Sequence, residues 1–161
     1  MVVSFIVLAI YFTDFVSGVF LDFKVVSNTN CWIVGPTTTG KYAIKHDTAY
    51  GWVTDLLDAE WIWDYNLNTA LGYGVVTKHF YIAGVVNSGT FRIAADDTFT
   101  TYINGIDANC KSLVYTFGLT NGVFCDVKSY LRSGMNVLVV SVLNTGGYAG
   151  VMFKLEVTSN Y

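Results

Sequence analysis

The second half of the chain is punctuated in a way that few folds accommodate. From Val75 onward, runs rich in Val, Ile, Thr, Phe and Tyr are cut by short breaks at Asn87-Ser88-Gly89, Asn104-Gly105, Asn121-Gly122, Arg132-Ser133-Gly134 and Asn144-Thr145-Gly146-Gly147. β-Branched and aromatic residues suit a pleated, half-buried surface, and Asn-Gly supplies the positive φ of a tight hairpin turn. Short strands spaced about 8–12 residues apart indicate an all-β sandwich. The pattern predicts strands over 75–86, 90–95, 98–103, 113–117, 136–143 and 148–158. The first half is less regular. It predicts strands over 20–26 and 31–34, a loop over 37–40, a short strand from 50 to 53 and one helical turn over 56–60. An aromatic strand at Trp61-Ile62-Trp63 and a long polar loop over 64–74 complete it. The chain holds a single proline in 161 residues, so Gly and Asn must make most of the turns. That length suits one domain, expected as a sandwich over 21–161 preceded by an apolar strand or arm over 1–20.

Composition narrows the functional classes. Only 13% of the residues are charged and the hydrophobic fraction is 53%, with a mean hydropathy of +0.45. An ordinary soluble domain carries about 25% charged residues. Such a chain cannot cover itself with charge, so it packs against other chains or places part of itself in a membrane. A net charge of -3 and nine scattered basic residues give no electrostatic footprint for nucleic acid.

The N-terminus is the most apolar stretch. Residues 1–12 read Met-Val-Val-Ser-Phe-Ile-Val-Leu-Ala-Ile-Tyr-Phe. A signal peptide fits the length, with Val16-Ser17-Gly18 as a cleavage site, but no Lys or Arg precedes Lys24, so the positive n-region is missing. The apolar run before Asp14 falls short of the roughly 20 residues of a membrane helix, so no stable membrane span is expected. The β-branched and aromatic content favours a strand. Two destinations stay open: the chain's own sheet, or the sheet of a neighbouring subunit. In the second, Val3, Phe5, Val7, Ile10 and Phe12 make the contacts. Head-to-tail exchange of that kind does not close, so the expectation is a homo-oligomer, in the limit an extracellular or cell-surface filament.

A set of short motifs points to one family. They are Ala59-Glu60-Trp61-Ile62-Trp63, Phe91-Arg92-Ile93-Ala94-Ala95-Asp96-Asp97, Thr101-Tyr102-Ile103-Asn104-Gly105, Asp126-Val127 with Tyr130-Leu131, and Ser133-Gly134-Met135-Asn136-Val137-Leu138, with a strand ending at Asn144. In this order they resemble the galactose-binding-domain-like jelly roll, the fold of sugar-binding domains attached to many glycoside hydrolases. The resemblance covers most of the chain from Ala59 onward. It implies a jelly-roll β-sandwich and, as an alternative to the filament reading, a carbohydrate-binding module with glycans as partners. Asp96-Asp97 also resembles the calcium-binding pair of PA14-type lectin domains. That likeness implies a Ca²⁺ site in which Asn104 and Asp107 add oxygen ligands. The plain alternative is a solvated turn whose carboxylates bond nearby amides. No cofactor is otherwise expected.

Other candidates are weighed on their residues. Trp52, Trp61, Trp63 and Tyr65 offer rings for sugar stacking, and Trp61 and Trp63 at i and i+2 face one side of a strand. Core packing is the commoner use of such rings. Cys110 and Cys125 flank an apolar segment able to loop back. Their pairing would close a loop of about 15 residues, worth roughly 3 kcal/mol. Cys31 is then left over, either buried or bridging to another chain. His46 and His79 lack metal-ligand spacing, and nothing sets Glu60 and Asp64 across a cleft. No nucleophile motif, phosphate loop or zinc pattern is present, so the expectation is a protein without catalysis.

Overall fold

The computed structural model describes residues 18–67 and 69–161. The expectations placed on Val3, Phe5, Val7, Ile10 and Phe12 lie outside the described residues. In chain order the strands are β1 (Phe20–Val26), β2 (Trp32–Gly35), β3 (Thr38–Tyr42), β4 (Ile44–Lys45), β5 (Ile62–Trp63) and β6 (Gly72–Ile82). They continue as β7 (Val85–Asp96), β8 (Thr98–Ile103), β9 (Ile106–Ser112), β10 (Val123–Asp126), β11 (Gly134–Asn144) and β12 (Gly150–Asn160). The one helical element among the described residues is a single 3-10 turn at Lys128–Tyr130.

Two six-stranded antiparallel sheets face each other. The first runs β10-β7-β12-β5-β4, with β1 also paired to β12. The second runs β3-β2-β6-β11-β8-β9. Alternation along the long strands sends Phe91, Ile93, Val151, Phe153 and Leu155 of the first sheet against Val76, Phe99, Ile103, Leu138 and Val140 of the second. All of these are buried and form the main core. Trp63 is fully buried among them, with Gly74 of β6 against its ring. A Cβ on Gly74 would lie 2.3 Å from that ring, so β6 can pass only with glycine there.

The Cys110–Cys125 disulfide joins β9 to β10, and so ties an edge strand of one sheet to an edge strand of the other. Cys31 is fully buried and unpaired, which removes it as a bridge to another chain. A smaller core lies on the far side of the first sheet. Ala94 of β7 and Met152 of β12 sit side by side there, beneath Trp52, Leu56 and Trp61. The segment from His46 to Trp61 is therefore a flap over one outer face.

Several expected elements differ. The expected loop at 37–40 is largely β3, and 50–53 belongs to the flap rather than to a strand. Asn87-Ser88-Gly89 does not end a strand. It lies within β7, where Asn87 donates to Asn160 Oδ1 at 2.6 Å and Ser88 pairs with Thr158 at 2.7 Å. Cross-strand partners satisfy these polar groups, and the turn falls earlier, at Gly84 with φ of 73°. Residues 113–117 are loop, and the strand in that region is β9 instead.

Candidate functional site

The turn between β7 and β8 carries Asp96 and Asp97. Asp96 Oδ2 accepts the Trp52 indole N–H at 2.9 Å inside the flap. Burial raises its carboxyl most, the neighbouring Asp97 adds to this and the Trp52 N–H opposes, leaving it pushed up to about 7. Burial also pushes the Asp97 carboxyl upward. Hydrogen bonds from the Thr145 hydroxyl and backbone N–H outweigh this and hold it below the usual carboxylate range. His46 stacks on Trp52 at 4.9 Å between ring centroids, and Trp52 on Trp61 at 4.1 Å. Burial pushes the His46 imidazole below its ordinary value. Asp96 and His46 meet Trp52 within the flap, whereas Asp97 fixes the turn after β11.

The proposed calcium set is not brought together. Asp96 and Asp97 precede β8 while Asn104 and Asp107 follow it, a strand length of roughly 20 Å apart. Asn104 is built into the fold. Its amide donates to Tyr130 O at 2.9 Å and Asn136 Oδ1 at 2.8 Å, and its Oδ1 accepts the Val137 N–H. Asp107 accepts the Asn109 N–H at 2.8 Å and pairs with Lys111 at 3.8 Å. Among the described residues, no three His, Cys, Asp or Glu side chains gather where they could hold a metal ion.

The expected stacking pair is also corrected. Trp61 is 4% exposed and Trp63 is fully buried, because the flap covers one and the two sheets enclose the other. Glu60 pairs with Lys45, and buried Asp64 accepts from the Thr37 N–H and hydroxyl, so these two carboxylates line no common cleft.

The exposed tryptophan is Trp32, on the outer face of the second sheet. It is 44% exposed and sits directly across from Tyr42, which is 66% exposed. Their rings meet edge to face, 5.6 Å apart and 82° between planes. Gly40 lies against the indole, where a Cβ would come within 2.8 Å, so the glycine makes room for the ring. Asn30, Thr77, Lys78 and His79 complete a groove of about 440 Å³ beside the two rings. Lys78 Nζ donates to Asn28 Oδ1 at 2.8 Å. A larger open groove of about 810 Å³ runs past Phe124, Asp126, Lys128 and Arg132, without a tryptophan.

The register extends the aromatic pair into a row. Tyr42 lies across from Trp32, Trp32 from Thr77, Thr77 from Val139 and Val139 from Tyr102. In the next row Val34, Val75, Ser141 and Thr100 align. Sequence reasoning passed over Trp32 because a lone tryptophan in a short strand looks like core. The available signal was that β6 and β11 are apolar at both parities, which leaves a second apolar face to be used.

No family model matches the chain, and no curated protein matches it. Solved structures do share its fold. One is the Streptomyces avermitilis α-L-rhamnosidase complexed with L-rhamnose, at TM-score 0.54 and 20% identity over 63% of this chain. Another is the Ruminococcus gnavus β-glucuronidase in complex with uronic isofagomine, at TM-score 0.52 and 12% identity over 84% of this chain. A β-glucuronidase of an uncultured Clostridium aligns at TM-score 0.50 and 13% identity over 87%. The shared fold is a jelly-roll β-sandwich, as the resemblance of the motifs implied. The chain spans 11% of the rhamnosidase and 28% and 29% of the two glucuronidases, so it corresponds to one module of each. In this jelly roll the motif residues serve the frame. Asn104 and Asn136 lock the β8–β9 turn to the start of β11, and Asn144 donates to Ala70 O at 3.0 Å.

Proposed function

We propose that the chain is a non-catalytic carbohydrate-binding module whose binding surface is the outer face of the second sheet. The observation that carries this reading is the exposed Trp32, fixed over Gly40 and cornered by Tyr42, with Asn30, Thr77, Lys78 and His79 beside it. A pyranose ring has an apolar C–H face and a rim of hydroxyls. An aromatic ring matches the first, and short amide, hydroxyl and amine groups match the second. Burying a half-exposed indole under a sugar removes apolar surface from water without stranding a polar group. The solved neighbours act on sugars, which accords with a glycan as partner. The Cys110–Cys125 disulfide supports an extracellular or cell-surface setting. A self-assembling filament has no support among the described residues.

The test is a binding screen of the purified chain against a panel of soluble glycans, with Trp32→Ala beside it. Binding by the native chain, weakened at least about tenfold in the variant, is expected. No binding to any glycan, or equal binding by Trp32→Ala, overturns the reading.

A further inference from the structure

The outward-facing positions of the four middle strands of this sheet carry no Asp, Glu, Lys or Arg. They are Trp32 and Val34 on β2, then Tyr73, Val75, Thr77, His79 and Tyr81 on β6. Met135, Val137, Val139, Ser141 and Leu143 follow on β11, and Thr98, Thr100 and Tyr102 on β8. A sheet face in water ordinarily alternates with polar and charged side chains. Here the face offers rings, methyls and hydroxyls. Two charged groups adjoin it: Asp107 on β9, which pairs with Lys111, and Lys78 on the other parity of β6, whose ammonium lines the groove beside Trp32 and donates to the Asn28 amide oxygen.

We infer that the ligand is a neutral polysaccharide, held as a single extended chain that crosses the strands along the row Tyr42–Trp32–Thr77–Val139–Tyr102. This rests on the carbohydrate-binding reading above and names the class of glycan. Three features carry it. The outward positions of the face hold no cation to repay desolvation of a uronate or sulfate along the row, and the one ammonium of the groove, Lys78, is already held by Asn28. The row crosses five strands, about 19 Å at the spacing of a sheet, long enough for several sugar rings in line. Trp32 and Tyr42 stand 82° apart, a corner that grips the side of one chain; a flat crystalline surface needs coplanar rings.

The test is native affinity electrophoresis in gels cast with galactomannan or mixed-linkage β-glucan as neutral probes, and polygalacturonate or heparin as anionic ones, at about 50 and about 500 mM salt. Titration calorimetry with oligosaccharides of increasing length follows, on native chain, Trp32→Ala, Tyr102→Ala and Tyr102→Phe. Circular dichroism confirms that each variant is folded. Retardation by a neutral polymer, unchanged by salt, is expected. Affinity should rise at least about tenfold from disaccharide to tetrasaccharide, and Tyr102→Ala should remove most of that gain while Tyr102→Phe keeps it. Salt-sensitive binding to the anionic polymers, full affinity for a disaccharide, or an unaffected Tyr102→Ala each overturns the inference while leaving carbohydrate binding intact. Concentration-dependent self-association abolished by Trp32→Ala, with no glycan bound, would mean the face belongs to a second copy, and both readings fall.

Discussion

Asp96, bonded to Trp52 of the flap, is the side chain through which stability should depend on pH. Its carboxyl is raised from 3.8 to about 7 by burial, with Asp97 adding and the Trp52 N–H opposing. A raised folded value means the native state binds the proton more tightly than the unfolded chain. The stabilisation is fully present below pH 3.8 and is lost as pH rises through about 7. His46 acts the other way, since burial lowers it from 6.5, so its contribution is present above pH 6.5 and is lost as pH falls through its folded value. The two are separated by Asp96→Asn, which keeps an acceptor for Trp52 and removes the titration. Thermal melts from pH about 5 to about 8 should show the native chain losing stability relative to Asp96→Asn, on the order of 2 kcal/mol across the range. A difference that stays flat with pH would mean that Asp96 does not titrate there. Asp97 sits one residue away and titrates lower, because Thr145 donates to it twice.

At the scale of elements, β9 and β10 are each an edge of their sheet, and the Cys110–Cys125 bridge guards both. The two cysteines are 15 residues apart, a loop whose closure is worth about 3 kcal/mol. Replacing both with Ser should lower the melting temperature by roughly 10 °C, with β9 and β10 the first strands to lose amide protection in hydrogen exchange. An unchanged melting temperature would show the edges to be held by pairing alone. β10 was hard to find in the sequence because it is only four residues long. β9 was hidden because Asp107, Asn109 and Lys111 fill its outward parity, so only Ala108 and Cys110 mark its buried face. β1 and β8 were legible to the residue, since apolar alternation and a bounding turn coincide there. Asn87-Ser88-Gly89 misled, because a turn-like triplet can sit in a strand when the facing strand supplies polar partners, as Asn160 and Thr158 do. Of the two uses open to Trp61 and Trp63, core packing holds and sugar stacking fails, for a related reason. Trp61 and Trp63 are paired in sequence, but burial depends on what the flap and the second sheet cover. Trp32 and Tyr42 become a pair only through register.

The whole molecule treats its two outer faces differently. The first sheet is covered by its own chain, with Trp52, Leu56 and Trp61 of the flap over Ala94 and Met152. The flap is in turn tied to the loop after β9, where Val53 and Asp55 donate to Phe117 O and Thr120 O at 3.0 Å each. Among the described residues the second sheet has no such cover, and Trp32, Tyr73 and Tyr81 are exposed. A chain with so little charge would gain by covering both faces, so leaving one open has a cost in solubility that only a partner offsets. On the proposed reading, stability and binding belong to opposite sides of the sandwich. Trp52→Ala should empty the centre of the flap core and release Asp96 and His46. The cost should be about 3–5 kcal/mol of stability. Glycan affinity, measured below the melting transition, should stay within about twofold of native, because the main core separates Trp52 from Trp32. Trp32→Ala should show the reverse, a lost affinity with an unchanged melting temperature. If Trp52→Ala stays folded and loses binding as Trp32→Ala does, the two faces are coupled and the sugar site lies at the flap end, beside Asp96 and Tyr148.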